Sequence, residues 1–240
     1  LRGSGFVKTV RFKDPVYLGD SFNTVRLFNE KETDELIILD IDATIQGRGP
    51  RFDFLRDLAS ECFMPVSYGG GVRTVEDMRR LFEAGFEKVS INSAAIKNPQ
   101  LISQAAREFG SQSVVVSLDV RRRMFGRHEV FVENGKKATG MSPIEAAQRA
   151  VDLGAGEILL NSIDLDGTMT GYDLELIENI ARSVSVPLIA CGGAGNLNHM
   201  VEVIDEAGAS AAAAGSVFVF TGRHRAVLIT YPTQAELNRG

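Results

Sequence analysis

The stretch GGGVRTVEDMRRLFEAGFEKVSINSAA, Gly69 to Ala95, decides the fold, because it returns 123 residues later as GGAGNLNHMVEVIDEAGASAAAAGSVF, Gly192 to Phe218. Each copy opens on a glycine cluster and continues through a segment with apolar residues at helical spacing. In Thr74–Ala84 these are Val75, Met78, Leu81 and Phe82. Each copy closes on a short apolar run ended by small polar residues, which is one turn of a β-α-β unit. Just upstream, ELIILDID from Glu35 matches EILLNSID from Glu157 at nearly the same offset. Two four-strand halves follow from this, each too small to bury its own sheet alone.

Working outward, seven short apolar runs read as strands: Leu36–Asp40, Pro65–Tyr68, Lys88–Asn92, Val114–Asp119, Glu157–Ser162, Leu188–Cys191 and Ala211–Gly215. Strands that alternate with helical segments build a parallel sheet. An eighth strand should come before these seven, with Phe6–Val10 as its tail or as the loop beyond it, so the first strand reads as cut short. The expectation is a single α/β domain over residues 1–240, a (β/α)₈ TIM barrel made of two repeated half-barrels.

Composition narrows the function. A net charge of -5 without a long Lys/Arg run argues against nucleic acid as the partner. No stretch approaches the roughly 20 apolar residues of a membrane span. Cys62 and Cys191 lie far apart without ligand spacing, so neither a metal site nor a disulfide framework is indicated, and a cytoplasmic setting is expected. Small-molecule chemistry without a cofactor is the remaining class.

In such barrels the loops after the strands make the active site. Polar groups close four of the runs: Asp40 and Asp42, Asn92 and Ser93, Asp119, and Ser162 through Asp164, Asp166 and Gly167. Asp119, at the end of VVVSLD, is the leading acid/base candidate because a carboxylate at the barrel mouth is partly dehydrated. A helix N-cap or a salt-bridged rim residue is the other reading. Gly70 and Gly71, with Asn92 and Ser93, form one candidate phosphate cradle, and Gly192 and Gly193, with Gly215 and Ser216, form a second. Two cradles related by the repeat imply a substrate with a phosphate at each end; tight turns alone are the alternative. Glu35, Lys88 and Glu157 stand just before three alternate strands, as a charged ring at the barrel bottom or as plain surface charges.

The segments DELIILDIDA (34–43), YGGGVRTVED (68–77), EKVSINSAAIKNPQLI (87–102), FGSQSVVVSLD (109–119), GAGEILLNSIDLDGTMTGYD (154–173) and ACGGAGNLNHM (190–200) resemble the cyclase subunit of imidazole glycerol phosphate synthase. The resemblance implies a lyase/cyclase that receives ammonia through the barrel from a glutaminase docked at its bottom, as a heterodimer. That ammonia would cleave and cyclise a bis-phosphorylated ribulosyl imidazolecarboxamide. It also implies that Asp119 is one of two catalytic aspartates, the other falling at or before Leu1, and that Lys8 is the active-site loop lysine. Phosphate contacts fall on Gly70, Gly71, Asn92, Ser93, Gly193 and Ser216, with Asp40 and Asp164 to Asp166 at the substrate end. Glu35, Lys88 and Glu157 fall on the ammonia gate.

Several stretches depart from the family pattern: VKTVRFKDPVYLGDS (7–21), Arg121-Arg122-Arg123, Cys191 where serine is typical, and FTGRHRAVLITYP (220–232). These resemble paralogues of surface-polysaccharide (O-antigen) clusters, whose partner would be a sugar amidotransferase and whose barrel would act as an ammonia conduit. An isomerase on the same half-barrel plan ranks last.

Overall fold

The computed structural model describes residues 1–237. An antiparallel hairpin comes first, β1 (Gly5–Val10) with β2 (Lys13–Asp20), followed by α1 (Ser21–Glu30). The chain then alternates through β3 (Leu36–Leu39), α2 (Phe52–Ser60), β4 (Val66–Gly69), α3 (Val75–Glu83), β5 (Lys88–Ile91), α4 (Ser93–Lys97) and α5 (Gln100–Phe109). A long β6 (Val114–Arg122) turns into β7 (His128–Val132) and β8 (Lys137–Ala138) before α6 (Pro143–Asp152). Next come β9 (Glu157–Ser162), α7 (Leu174–Ala181), β10 (Leu188–Cys191), α8 (Leu197–Asp205), β11 (Ala211–Ala213) and α9 (Ser216–Val219). A two-residue-strand hairpin, β12 (Phe220–Thr221) with β13 (Ala226–Val227), and α10 (Gln234–Leu237) end the described chain.

Seven strands lie parallel in the order β11-β10-β9-β6-β5-β4-β3, an α/β fold of the TIM-barrel type. All seven runs read from the sequence are present, with ends moved by one or two residues except that β6 runs on to Arg122. The repeat is also visible as structure, since β4-α3-β5 and β10-α8-β11 are the same unit twice. Of the two readings of Phe6–Val10, the loop beyond the first strand holds and the strand tail does not. The segment lies in the β1–β2 hairpin, and the place beside β3 is held by Leu1, whose nitrogen donates to Leu39 O at 2.6 Å and whose carbonyl accepts from Ile41 N at 3.2 Å.

Side chains on the two faces of the sheet sort into separate clusters. Val115, Leu159 and Ile189, with Ile37, Cys191 and Ala213, pack together on the inner face. Ile38, Tyr68, Val89, Val116, Leu160 and Ala190, one step along each strand, join the large cluster with Met78 and Leu81 of α3 and the other helices. Burying one such leucine contributes about 1.5–3 kcal/mol. The helices start where the sequence supplies caps. Thr74 and Asp77 form a reciprocal capping box on α3, and Ser142 caps α6 ahead of Pro143. Among the described residues no helix is long and apolar enough to cross a membrane.

Candidate active site at the strand ends

Parallel pairing fixes which side chains share the inner face. Asp119 on β6 pairs with Asn161 on β9, Asn161 with Cys191 on β10, and Cys191 with Ala213 on β11, so these four stand in a row at the C-terminal end of the sheet. Asp119 is 9% exposed. Its carboxyl is pushed up to about 7, first by loss of water on burial and then by the negative charge of Asp166. A carboxyl poised there exchanges a proton at neutral pH. Cys191 is pushed the other way from reactivity, to about 12, by burial and by Asp166, and stays a neutral thiol.

The β1–β2 hairpin folds over this row. Lys8 Nζ lies 2.6 Å from Asp166 Oδ1, Thr9 Oγ1 donates to Asp166 Oδ2 at 3.2 Å, and Arg11 N donates to Asp166 O at 2.8 Å. Lys8 and Asp166, 158 residues apart in sequence, are therefore brought together next to Asp119. Gly167 has to be glycine for this contact, since a Cβ there would run into Thr9 O.

The other strand-end aspartates have different work. Asp40 accepts from Asp42 N, Ala43 N and Arg48 Nη2 at 3.2, 3.1 and 2.8 Å. Its Oδ1 thus organises the loop after β3, while its buried Oδ2 has no hydrogen-bond partner. Asp40 shares a strand side with Ile38, which faces the helices. Asp164 accepts from Arg122 N at 2.8 Å and stands 3.7 Å from Arg121 Nε, which ties the loop after β9 to the β6–β7 hairpin.

The glycine clusters sit where the repeat places them. Gly70, at φ 124°, would put a Cβ 2.5 Å from Asp40 O, and at Gly193, φ 117°, a Cβ would overlap Gly171 O. Close backbone approach therefore requires both glycines whatever binds there. Gly71 follows Gly70, and beside them Asn92 begins α4, donating through Nδ2 to Ser117 O at 3.0 Å while its Oδ1 accepts from Ser93 Oγ at 3.1 Å. In the second copy Gly192 precedes Gly193, Gly215 and the buried Ser216 begin α9, and the stem of Lys8 lies over Gly215.

At the opposite end of the sheet Lys88 Nζ lies 2.7 Å from Glu157 Oε1 and 3.6 Å from Glu35 Oε1, so the three charges form a cluster. Burial alone would lower the Lys88 ammonium. The hydrogen bond to Glu157 and the charges of Glu35 and Glu157 outweigh it and hold the pKa above its ordinary value. Ser67 Oγ donates to Glu35 at 3.1 Å, and Ser67, Ser90 and Ser117 are buried on the inner face by the same register, between this cluster and Asp119.

Thr9, Asn161 and the three inner serines escaped the sequence reading. Aligning the last inward position of β9 with that of β6 would have found Asn161; nothing in the sequence marks Thr9.

The family model described as "Histidine biosynthesis protein" matches residues 2–225. A Pseudomonas aeruginosa protein named "Putative imidazole glycerol phosphate synthase subunit hisF2" is 52% identical over 100% of this chain and 96% of its own length. A Leptospira interrogans protein named "Putative imidazole glycerol phosphate synthase subunit HisF" is 47% identical, covering 98% of this chain and 93% of its own length. An Alkaliphilus metalliredigens protein named "Imidazole glycerol phosphate synthase subunit HisF" is 45% identical over 91% of this chain and 86% of its own. With nearly its whole length matched in sequence and its strands and glycines repeating in two halves, the chain belongs to the histidine biosynthesis protein family.

Proposed function

We propose that this chain is a cyclase-type subunit of imidazole glycerol phosphate synthase, a lyase that uses ammonia to cleave and cyclise a bis-phosphorylated ribulosyl imidazolecarboxamide. The observation that carries the reading is Asp119, buried at the mouth and raised to about 7, in a row with Asn161 and Cys191. Ammonia attack and ring closure both need protons moved at the reacting atoms, and a carboxyl balanced near neutrality gives and takes them. The substrate's phosphates would rest in the cradles at Gly70, Gly71, Asn92 and Ser93 and at Gly192, Gly193, Gly215 and Ser216. Lys8, paired to Asp166, would sit over the reacting carbons.

The partner in this reading is a glutaminase subunit docked at the end of the sheet that carries Glu35, Lys88 and Glu157. Ammonia released there would pass the charged cluster and the inner serines to reach Asp119. The relatives' names favour this synthase over an ammonia conduit serving a sugar amidotransferase.

The test is turnover of the bis-phosphorylated ribulosyl substrate with an ammonium salt and no partner present. Product from the unmodified chain, lost in Asp119→Asn with the fold intact by circular dichroism, is the expected result. Equal turnover by the variant would remove Asp119 from the chemistry.

A further inference from the structure

We propose that Arg225 is the cationic arm of the second cradle, so that this site takes the phosphate of a monoester whose carbon chain carries a hydroxyl. The inference rests on the two-cradle reading above and adds to it a residue from the divergent segment after α9. Arg225 stands on the β12–β13 hairpin, whose strands pair Phe220 with Val227 and Thr221 with Ala226. Three contacts orient its guanidinium. Nη1 donates to Gly167 O at 3.0 Å, Nη2 donates to Ser216 Oγ at 3.4 Å, and the group lies 4.5 Å over the Phe220 ring. The residue adopts φ 52°, a conformation that a side chain other than glycine rarely takes, in the turn that carries it to this place.

The charge balance explains what such an arginine is for. Lys8, the other cation over this cradle, is spent on Asp166 at 2.6 Å. Among the described residues Arg225 forms no ion pair with a carboxylate, so its charge stands uncompensated beside the buried Ser216. A rigid guanidinium fork with spare N–H groups fits a phosphate better than an ammonium does. A second observation points to a ligand from another side. Asn161, 6% exposed, has an Oδ1 with no hydrogen-bond partner, and that atom lies 2.9 Å from where a Cβ on Gly192 would stand. An unsatisfied acceptor in that position suits a hydroxyl donor on the carbon chain next to the phosphate.

Inorganic phosphate titrated into the ¹⁵N-labelled full chain tests this, with the amide signals of Gly193 and Ser216 reporting one cradle and those of Gly71 and Ser93 the other. In Arg225→Ala the affinity read at Gly193 and Ser216 should fall roughly ten- to a hundredfold. The affinity read at Gly71 and Ser93 should not move, and Arg225→Lys should fall by less than the alanine variant. If the alanine variant loses its native spectrum, Arg225→Gln removes the charge while keeping donors for Gly167 and Ser216, and the same selective loss is expected. Unchanged affinity at Ser216 in the charge-removing variant, or phosphate binding at Ser93 alone in the unmodified chain, overturns the assignment and leaves the first cradle standing. Binding at neither cradle overturns the two-cradle reading together with it.

Discussion

Asp119 shows how one residue's surroundings set both a chemical capacity and a cost. Its carboxyl is raised to about 7 by burial and by Asp166, so the folded protein prefers the protonated form over a range where an unfolded chain is already ionised. The stability tied to that proton is fully present below the ordinary carboxylate range and is lost as pH rises through about 7. Asp119→Asn cannot ionise, so its melting temperature should exceed that of the unmodified protein by a margin that grows between pH 5 and pH 8; a constant margin would mean the carboxyl titrates normally. The sequence leaves the direction of both Asp119 and Asp40 open for one reason. VVVSLD and IILD are, apart from Ser117, both apolar up to their final aspartate, since strands of a doubly covered parallel sheet are buried on both faces. Nothing in such a run tells which way its last residue points. Asp119 falls on the inner side with Ser117, whereas Asp40 falls on the side of Ile38 and serves its own loop.

At the scale of elements, the β1–β2 hairpin is the piece whose position the sequence concealed. Its residues alternate without a clear apolar face, and five of the eight in β2 are exposed in a row. The ties that bring it to the mouth, Lys8 and Thr9 to Asp166 and Arg11 to the backbone of Asp164 and Asp166, come from a loop on the far side of the sheet. No local pattern encodes such a contact. The helices, by contrast, were legible because caps such as Thr74 with Asp77 are local chemistry. Because the hairpin is held by few groups, Asp166→Asn should loosen it by removing the ion pair to Lys8. Limited trypsin digestion should then cut at Arg11 and Lys13 faster than in the unmodified protein, with no change in the rate elsewhere. Equal rates would mean that the bonds from Thr9 and Arg11 hold the hairpin without the ion pair.

Over the whole molecule, the seven-strand sheet separates two polar ends by an inner face lined with Val115, Leu159 and Ile189 and the hydroxyls of Ser67, Ser90 and Ser117. The repeat made this architecture readable, since matching glycines and strand ends mark the two β-α-β units that the fold repeats. The charged cluster was readable only as spacing, because pairing of Lys88 with Glu157 depends on the stagger of β5 against β9 across β6. Lys88→Met leaves two carboxylates without their cation at the end opposite Asp119. If ammonia passes this cluster as proposed, the ratio of glutamine-driven to ammonium-driven turnover with a glutaminase partner should fall, and an unchanged ratio would overturn that route.

The two proposed cradles belong to different repeats, one following β4 and β5 and the other β10 and β11. On the proposed chemistry the substrate is gripped at both ends, and each grip keeps the other phosphate at high effective concentration over its own site. Breaking the molecule between the phosphates ends that mutual assistance, because each fragment then carries a single handle. Tight capture and quick discharge need no separate moving part, since the cut itself converts a two-handed hold into two one-handed ones.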